Sequence, residues 1–201
     1  MKQILILTAI ILAESCAKNV EPVQVVDSSS EETGLPYELT QDKYNELLDA
    51  YKLPAQPVYS NGKKVDPENI IDANSNDIED GWEREIVFKY HEDITNLNTY
   101  MSRANVETKL TKAYLNVDTS EYVILSEERK LSFSCGKYFA DLSGKDNRDS
   151  ELRRYFEVDS DSYKFILKRD SAITKVVGGG MDFGIDPEDC DKYKDENLWK
   201  Q

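Results

Sequence analysis

The sequence predicts a β-rich α+β domain: one N-terminal helix followed by an antiparallel meander of six to seven strands forming a barrel or sandwich. Three observations predict it. Short runs rich in Val, Ile, Thr, Tyr and Phe recur about every 10 to 14 residues between Trp82 and Val177. Polar, turn-like clusters separate them, among them Ser126-Glu127-Glu128-Arg129, Ser143-Gly144-Lys145-Asp146-Asn147 and Asp159-Ser160-Asp161. The gaps between runs leave no room for the crossover helices of a parallel sheet.

The helix is placed over 40–52, where Thr40 is a good N-cap, Tyr44, Leu47, Leu48 and Tyr51 fall at helical spacing, and Pro54 and Pro57 forbid continuation. Residues 54–81 are rich in Pro, Gly, Asn and Asp and read as an irregular loop, with at most a turn of helix near Pro67 to Ile71. The first strand is Ile86 to Tyr90; Ile94, Leu97, Tyr100, Met101 and Ala104 then suit a short helix or structured loop. Further strands are expected at Val106–Val117, Tyr122–Leu125, Leu131–Leu142, Arg154–Val158, Tyr163–Leu167 and Ile173–Val177, which completes a β-rich part over 82–177. Gly178-Gly179-Gly180 ends the last strand and opens an acidic C-terminal segment over 178–201.

Charge limits the partners. With 25 Lys and Arg against 39 Asp and Glu, the chain carries a formal charge of -14, which repels nucleic-acid phosphates and acidic membranes and attracts a basic protein partner. Twelve Tyr suit a contact surface, since each offers apolar area and a hydroxyl, although Tyr is equally a favoured strand residue.

Residues 1–16 have the layout of an export signal: a Lys after the initial Met, the apolar run Ile4 to Ala13, then Glu14-Ser15-Cys16. About ten apolar residues are too few to span a bilayer of roughly 30 Å. Leu12-Ala13-Glu14-Ser15-Cys16 resembles the lipobox of bacterial lipoproteins, with Glu14 departing from the small residue usual at its position. That resemblance implies acylation of Cys16 and attachment to a cell-envelope membrane through the N-terminal lipid alone; residues 17–38, with Ser28-Ser29-Ser30-Glu31-Glu32, read as a flexible tether, and the length left over as a single globular domain over 39–201. Ser15-Cys16-Ala17 also fits an ordinary signal-peptidase site, which would give a secreted protein. The two remaining cysteines, Cys135 and Cys190, form an even pair suited to one disulfide in an oxidising compartment.

Motifs for chemistry are sparse. The single His91 sits in His91-Glu92-Asp93-Ile94-Thr95, one histidine short of a zinc-protease helix, and no Gly-x-Ser-x-Gly elbow presents a nucleophile. Gly178 to Gly184 lacks the Gly-Lys-Ser/Thr ending of a phosphate loop. No catalytic residue is therefore assigned, and no cofactor is expected beyond weakly held calcium. The calcium candidate is Asp72 to Glu83, where Asp72, Asn74, Asn76 and Glu83 take positions 1, 3, 5 and 12 of an EF-hand-length loop and Asp77 stands where Gly normally makes the turn. The sequence thus predicts a lipid-anchored or secreted extracytoplasmic binding protein of inhibitor, immunity or envelope-accessory type. The alternatives are a carboxylate-based hydrolase and a lipocalin-like carrier of a small ligand.

Overall fold

The computed structural model describes Tyr37, 39–59, 66–144, 160–178, Gly184 and 186–200. The signal segment with Cys16, the tether apart from Tyr37, and the strand expected at Arg154–Val158 lie outside these residues. The described residues contain five α-helices and one 3₁₀ helix and no strand, which overturns the β-rich expectation. The helices are α1 (Gln41–Ala50), α2 (Asp80–Tyr90), α3 (Ile94–Leu115), α4 (Tyr122–Ser143) and α5 (Ser160–Val177), and the 3₁₀ helix spans Pro187–Lys194. The predicted strand at Ile86 to Tyr90 lies in α2. That at Val106–Val117 is the second half of α3 and its turn, those at Tyr122–Leu125 and Leu131–Leu142 are one helix, α4, and those at Tyr163–Leu167 and Ile173–Val177 are α5.

The physical reason is in which residues are buried. In α3, Leu97, Tyr100, Met101 and Ala104 face one cluster while Val106, Leu110 and Ala113 face another, so the helix is apolar on two sides and shows no single stripe. In α4 the buried positions include Ser126, Ser132, Ser134, Cys135, Gly136 and Ala140. Small residues let neighbouring helices approach, but they leave the helical period without an apolar signature. Ser126-Glu127-Glu128-Arg129, expected as a turn, lies inside α4, with both glutamates exposed and Arg129 turned to a buried partner.

α1 begins where expected, with the Thr40 hydroxyl accepting from the Lys43 amide at 3.2 Å. It docks on α2 by stacking Tyr44 on Phe88 at 5.0 Å and by Arg84, which donates to the Tyr44 hydroxyl at 2.7 Å and to the Pro54 carbonyl at 2.5 Å. Asp93 caps α3, accepting from the Asn96 amide. α4 ends at Gly144, whose φ of 64° is the left-handed conformation that glycine adopts without cost.

α3 and α4 form an antiparallel hairpin against which α2, α5 and the 3₁₀ helix pack. At one end, Cys135 of α4 and Cys190 of the 3₁₀ helix are bonded, with sulfurs 2.08 Å and Cα atoms 5.4 Å apart. Tyr193 is buried there, and the Asn98 amide donates to the carbonyls of Tyr193 and Asp195 at 3.0 and 2.7 Å. At the other end, the turn Asn116 to Glu121 stands exposed. Among the described residues, no helix is long and apolar enough to cross a membrane.

Candidate functional site

Three enclosed carboxylates gather at the α2 N-terminus. Glu79 is its N-cap, accepting from the amides of Trp82 at 2.7 Å and Gly81 at 3.2 Å, while the Tyr59 hydroxyl donates to the same carboxyl. Its own amide donates to the Thr108 hydroxyl of α3 at 3.1 Å. Asp80 accepts from the Ala73 amide. Glu79, Asp80 and Glu83 are all enclosed, at 0, 1 and 1 % exposure. Burial pushes the Glu79 carboxyl up to about 8 against the opposing pull of the two capping amides, and pushes Glu83 up to about 7 against the hydrogen bonds from Asn76 and Asn74. Burial raises Asp80 as well.

The residues of the expected calcium loop are brought together here. Asp72 accepts from the amides of Asn76 and Asp77, at 3.0 and 3.2 Å, and folds the loop back on itself. Asp77 takes the turn usually given to Gly, at φ 64°. The side-chain amides of Asn74 and Asn76 donate to the two oxygens of Glu83 at 3.1 and 2.7 Å. Lys112, reaching over from α3, donates to Asp72 at 2.7 Å and to Asp77 at 3.1 Å. The convergence is thus of one carboxylate with two amides, and an ammonium already neutralises the acids on the open side. Among the described residues no three His, Cys, Asp or Glu groups are placed to hold a metal ion.

A second buried charge cluster ties α3, α4 and α5. Glu107 meets Arg129 at 2.5 Å and Arg169 at 2.6 Å, and Arg169 also donates to the Thr111 hydroxyl at 2.7 Å and pairs with Asp170 at 2.8 Å. Burial would raise Glu107, but Arg129, Arg169 and Arg103 together hold it down to about 2. This cluster left no linear trace, because its members lie on three helices.

His91 ends α2, its Nδ1 3.0 Å from the Phe88 carbonyl and its Nε2 3.7 Å from Glu92, an arrangement that closes the helix. The 3₁₀ segment carries Asp186, Glu188, Asp189, Asp191, Asp195 and Glu196 on its exposed surface against two lysines, Lys192 and Lys194, and Lys194 is paired with Asp191 at 2.6 Å. Comparison with protein-family models, with curated proteins and with solved structures found no match.

Proposed function

We propose that this chain is an extracytoplasmic binding protein, held at the cell envelope by a lipid on Cys16 or else secreted, that presents an acidic face to a basic protein partner. The observation that carries this reading is the stapled 3₁₀ segment. Six exposed carboxylates lie within residues 186–196, and the disulfide, Tyr193 and Asn98 hold the segment against the hairpin. Fixed charges steer an oppositely charged partner into register and lower the ordering cost of docking. The enclosed carboxylates of α2 support binding over hydrolysis. Glu79 and Glu83 have the elevated pKa values of general acids, but their oxygens are consumed by capping amides, Tyr59 and two asparagines, and their side chains are closed to a substrate. The lipocalin-like alternative rested on a barrel, and the described residues contain no strand.

The test is the association rate of the full exported chain with a purified basic protein from its native envelope or medium, at about 50 and about 300 mM salt. A rate that falls steeply with salt, and falls again when Asp186, Glu188, Asp189 and Asp191 are changed to Asn or Gln, supports the proposal. Turnover of a glycan, ester or peptide lost on converting a single carboxylate to its amide would replace it with the hydrolase reading. Absence of fatty-acid labelling at Cys16 would leave the secreted form.

A further inference from the structure

At the opposite end of the α3–α4 hairpin from the staple lies a cleft of about 370 Å³ lined by Tyr114, Leu115, Val117, Thr119, Tyr122 and Ala172. Its surroundings are apolar to a degree that folding does not require. Leu115 lines the cleft yet is exposed, Val117 is 80 % exposed, and the exposed Val176 follows Ala172 by one turn of α5. Val117 also has φ 56°. A β-branched residue in the left-handed region costs of order 1 kcal/mol or more, and an isopropyl group this exposed recovers little of it by burial.

The polar edges of the patch differ in sign. The turn supplies Asp118 and Glu121 and no basic residue. Asp118 accepts from both the amide and the hydroxyl of Ser120, which holds its carboxyl below the usual range. On α5, exposed Lys168 and Lys175 lie one turn before and one turn after Ala172, on the same helix face. An apolar centre with one acidic and one basic edge is complementary to itself under a two-fold rotation, which sets each acidic edge against the other's lysines.

We infer that the chain self-associates through this end, a second copy seating its Val117 and Leu115 in the cleft while Asp118 and Glu121 face that copy's Lys168 and Lys175. Salt screens both the repulsion between two bodies of net charge -14 and the attraction between their paired edges, so the apolar centre carries the contact at high salt. Capture of a basic partner at the acidic face weakens under the same change, which keeps the two contacts separable.

The experiment is sedimentation velocity of the full exported chain, from micromolar to near-millimolar concentration at low and high salt. The expected result is a monomer–dimer equilibrium that persists at high salt. Val117→Gly, which relieves the backbone and so folds at least as well, should weaken dimerisation about tenfold or more, and Leu115→Glu should do the same. Asp118→Lys with Glu121→Lys in one chain, and Lys168→Glu with Lys175→Glu in another, should each give monomers alone and a heterodimer when mixed. A monomer under every condition overturns the inference, as does a dimer that Val117→Gly and the charge swaps leave intact. Association of the monomer with phospholipid vesicles through Val117 would replace the second copy with a membrane.

Discussion

Glu79 and Glu107 are both buried glutamates on the same helical scaffold, yet burial leaves one protonated near neutrality and the other ionised down to strongly acidic pH. Their partners differ. Glu79 meets two backbone amides and a phenol, groups that solvate it but bring no full positive charge, and Asp80 and Glu83 are close by. Glu107 meets guanidinium groups from α4 and α5. Dipoles alone do not offset desolvation of a carboxylate, whereas fixed cations do, so enclosure by itself says little about charge state. The first site behaves as a capped helix end that prefers a proton, the second as a three-helix ionic tie.

The largest effect expected from this contrast is at Glu107. Glu107→Gln leaves Arg129 and Arg169 buried with only Asp170 to share, and should cost about 3–5 kcal/mol in urea unfolding at neutral pH. A loss under about 1 kcal/mol would mean that water reaches the cluster.

Next in size is the pH dependence of the unaltered protein. Glu79 and Glu83 bind protons more tightly folded than unfolded, so their contribution to stability is complete at pH below the unfolded value of about 4.5 and is lost as pH rises through about 7 and about 8. Glu107 has the opposite sign, contributing above about 4.5 and losing its contribution as pH falls toward about 2. Stability should therefore peak on the mildly acidic side and fall by a few kcal/mol toward pH 9, read as denaturation midpoints across pH. A plateau from pH 6 to 9 would break the contrast.

A smaller effect belongs to Lys112, whose ammonium joins the half-open side of the 72–83 loop to α3. Lys112→Met should cost about 1 kcal/mol, and the loss should shrink in high salt, as for any partly exposed pair. A change no larger is expected for Glu79→Gln. At pH 6 the amide matches the charge of the protonated acid and can keep the Trp82 amide as donor while its NH₂ turns to the Tyr59 oxygen, leaving the Gly81 amide without its acceptor, so stability should move by about 1 kcal/mol while the fall toward pH 9 becomes shallower. The same Glu-to-Gln exchange, severe at one buried position and mild at the other, is the sharpest form of the comparison.

What the sequence showed depended on whether the signal was local. Thr40 with Tyr44, Leu47 and Tyr51 announced α1 because cap, period and prolines lie within one short window. The Cys135 and Cys190 pairing followed from parity. The 72–83 loop was visible as a spacing, and Asp77 does adopt the turn that the spacing demands. The β-rich reading failed where composition was weighed above period. Val106, Leu110 and Ala113 stand at helical intervals inside a stretch judged by its Val, Thr and Tyr content, and the serine-lined face of α4 hid its period. Glu107 with Arg129 and Arg169 could not be read at all, since nothing in one dimension places residues 22 and 62 positions away beside the same carboxylate.

The bond between Cys135 and Cys190 closes a covalent ring of chain whose ends are 55 residues apart and which contains the whole of α5. A protease that cuts one peptide bond anywhere inside that ring releases no fragment. The nicked molecule keeps its mass, and its acidic segment stays attached to α4 until a reductant reaches the sulfurs. In a compartment rich in hydrolases and poor in thiols, this turns what would be a truncation into a silent scar.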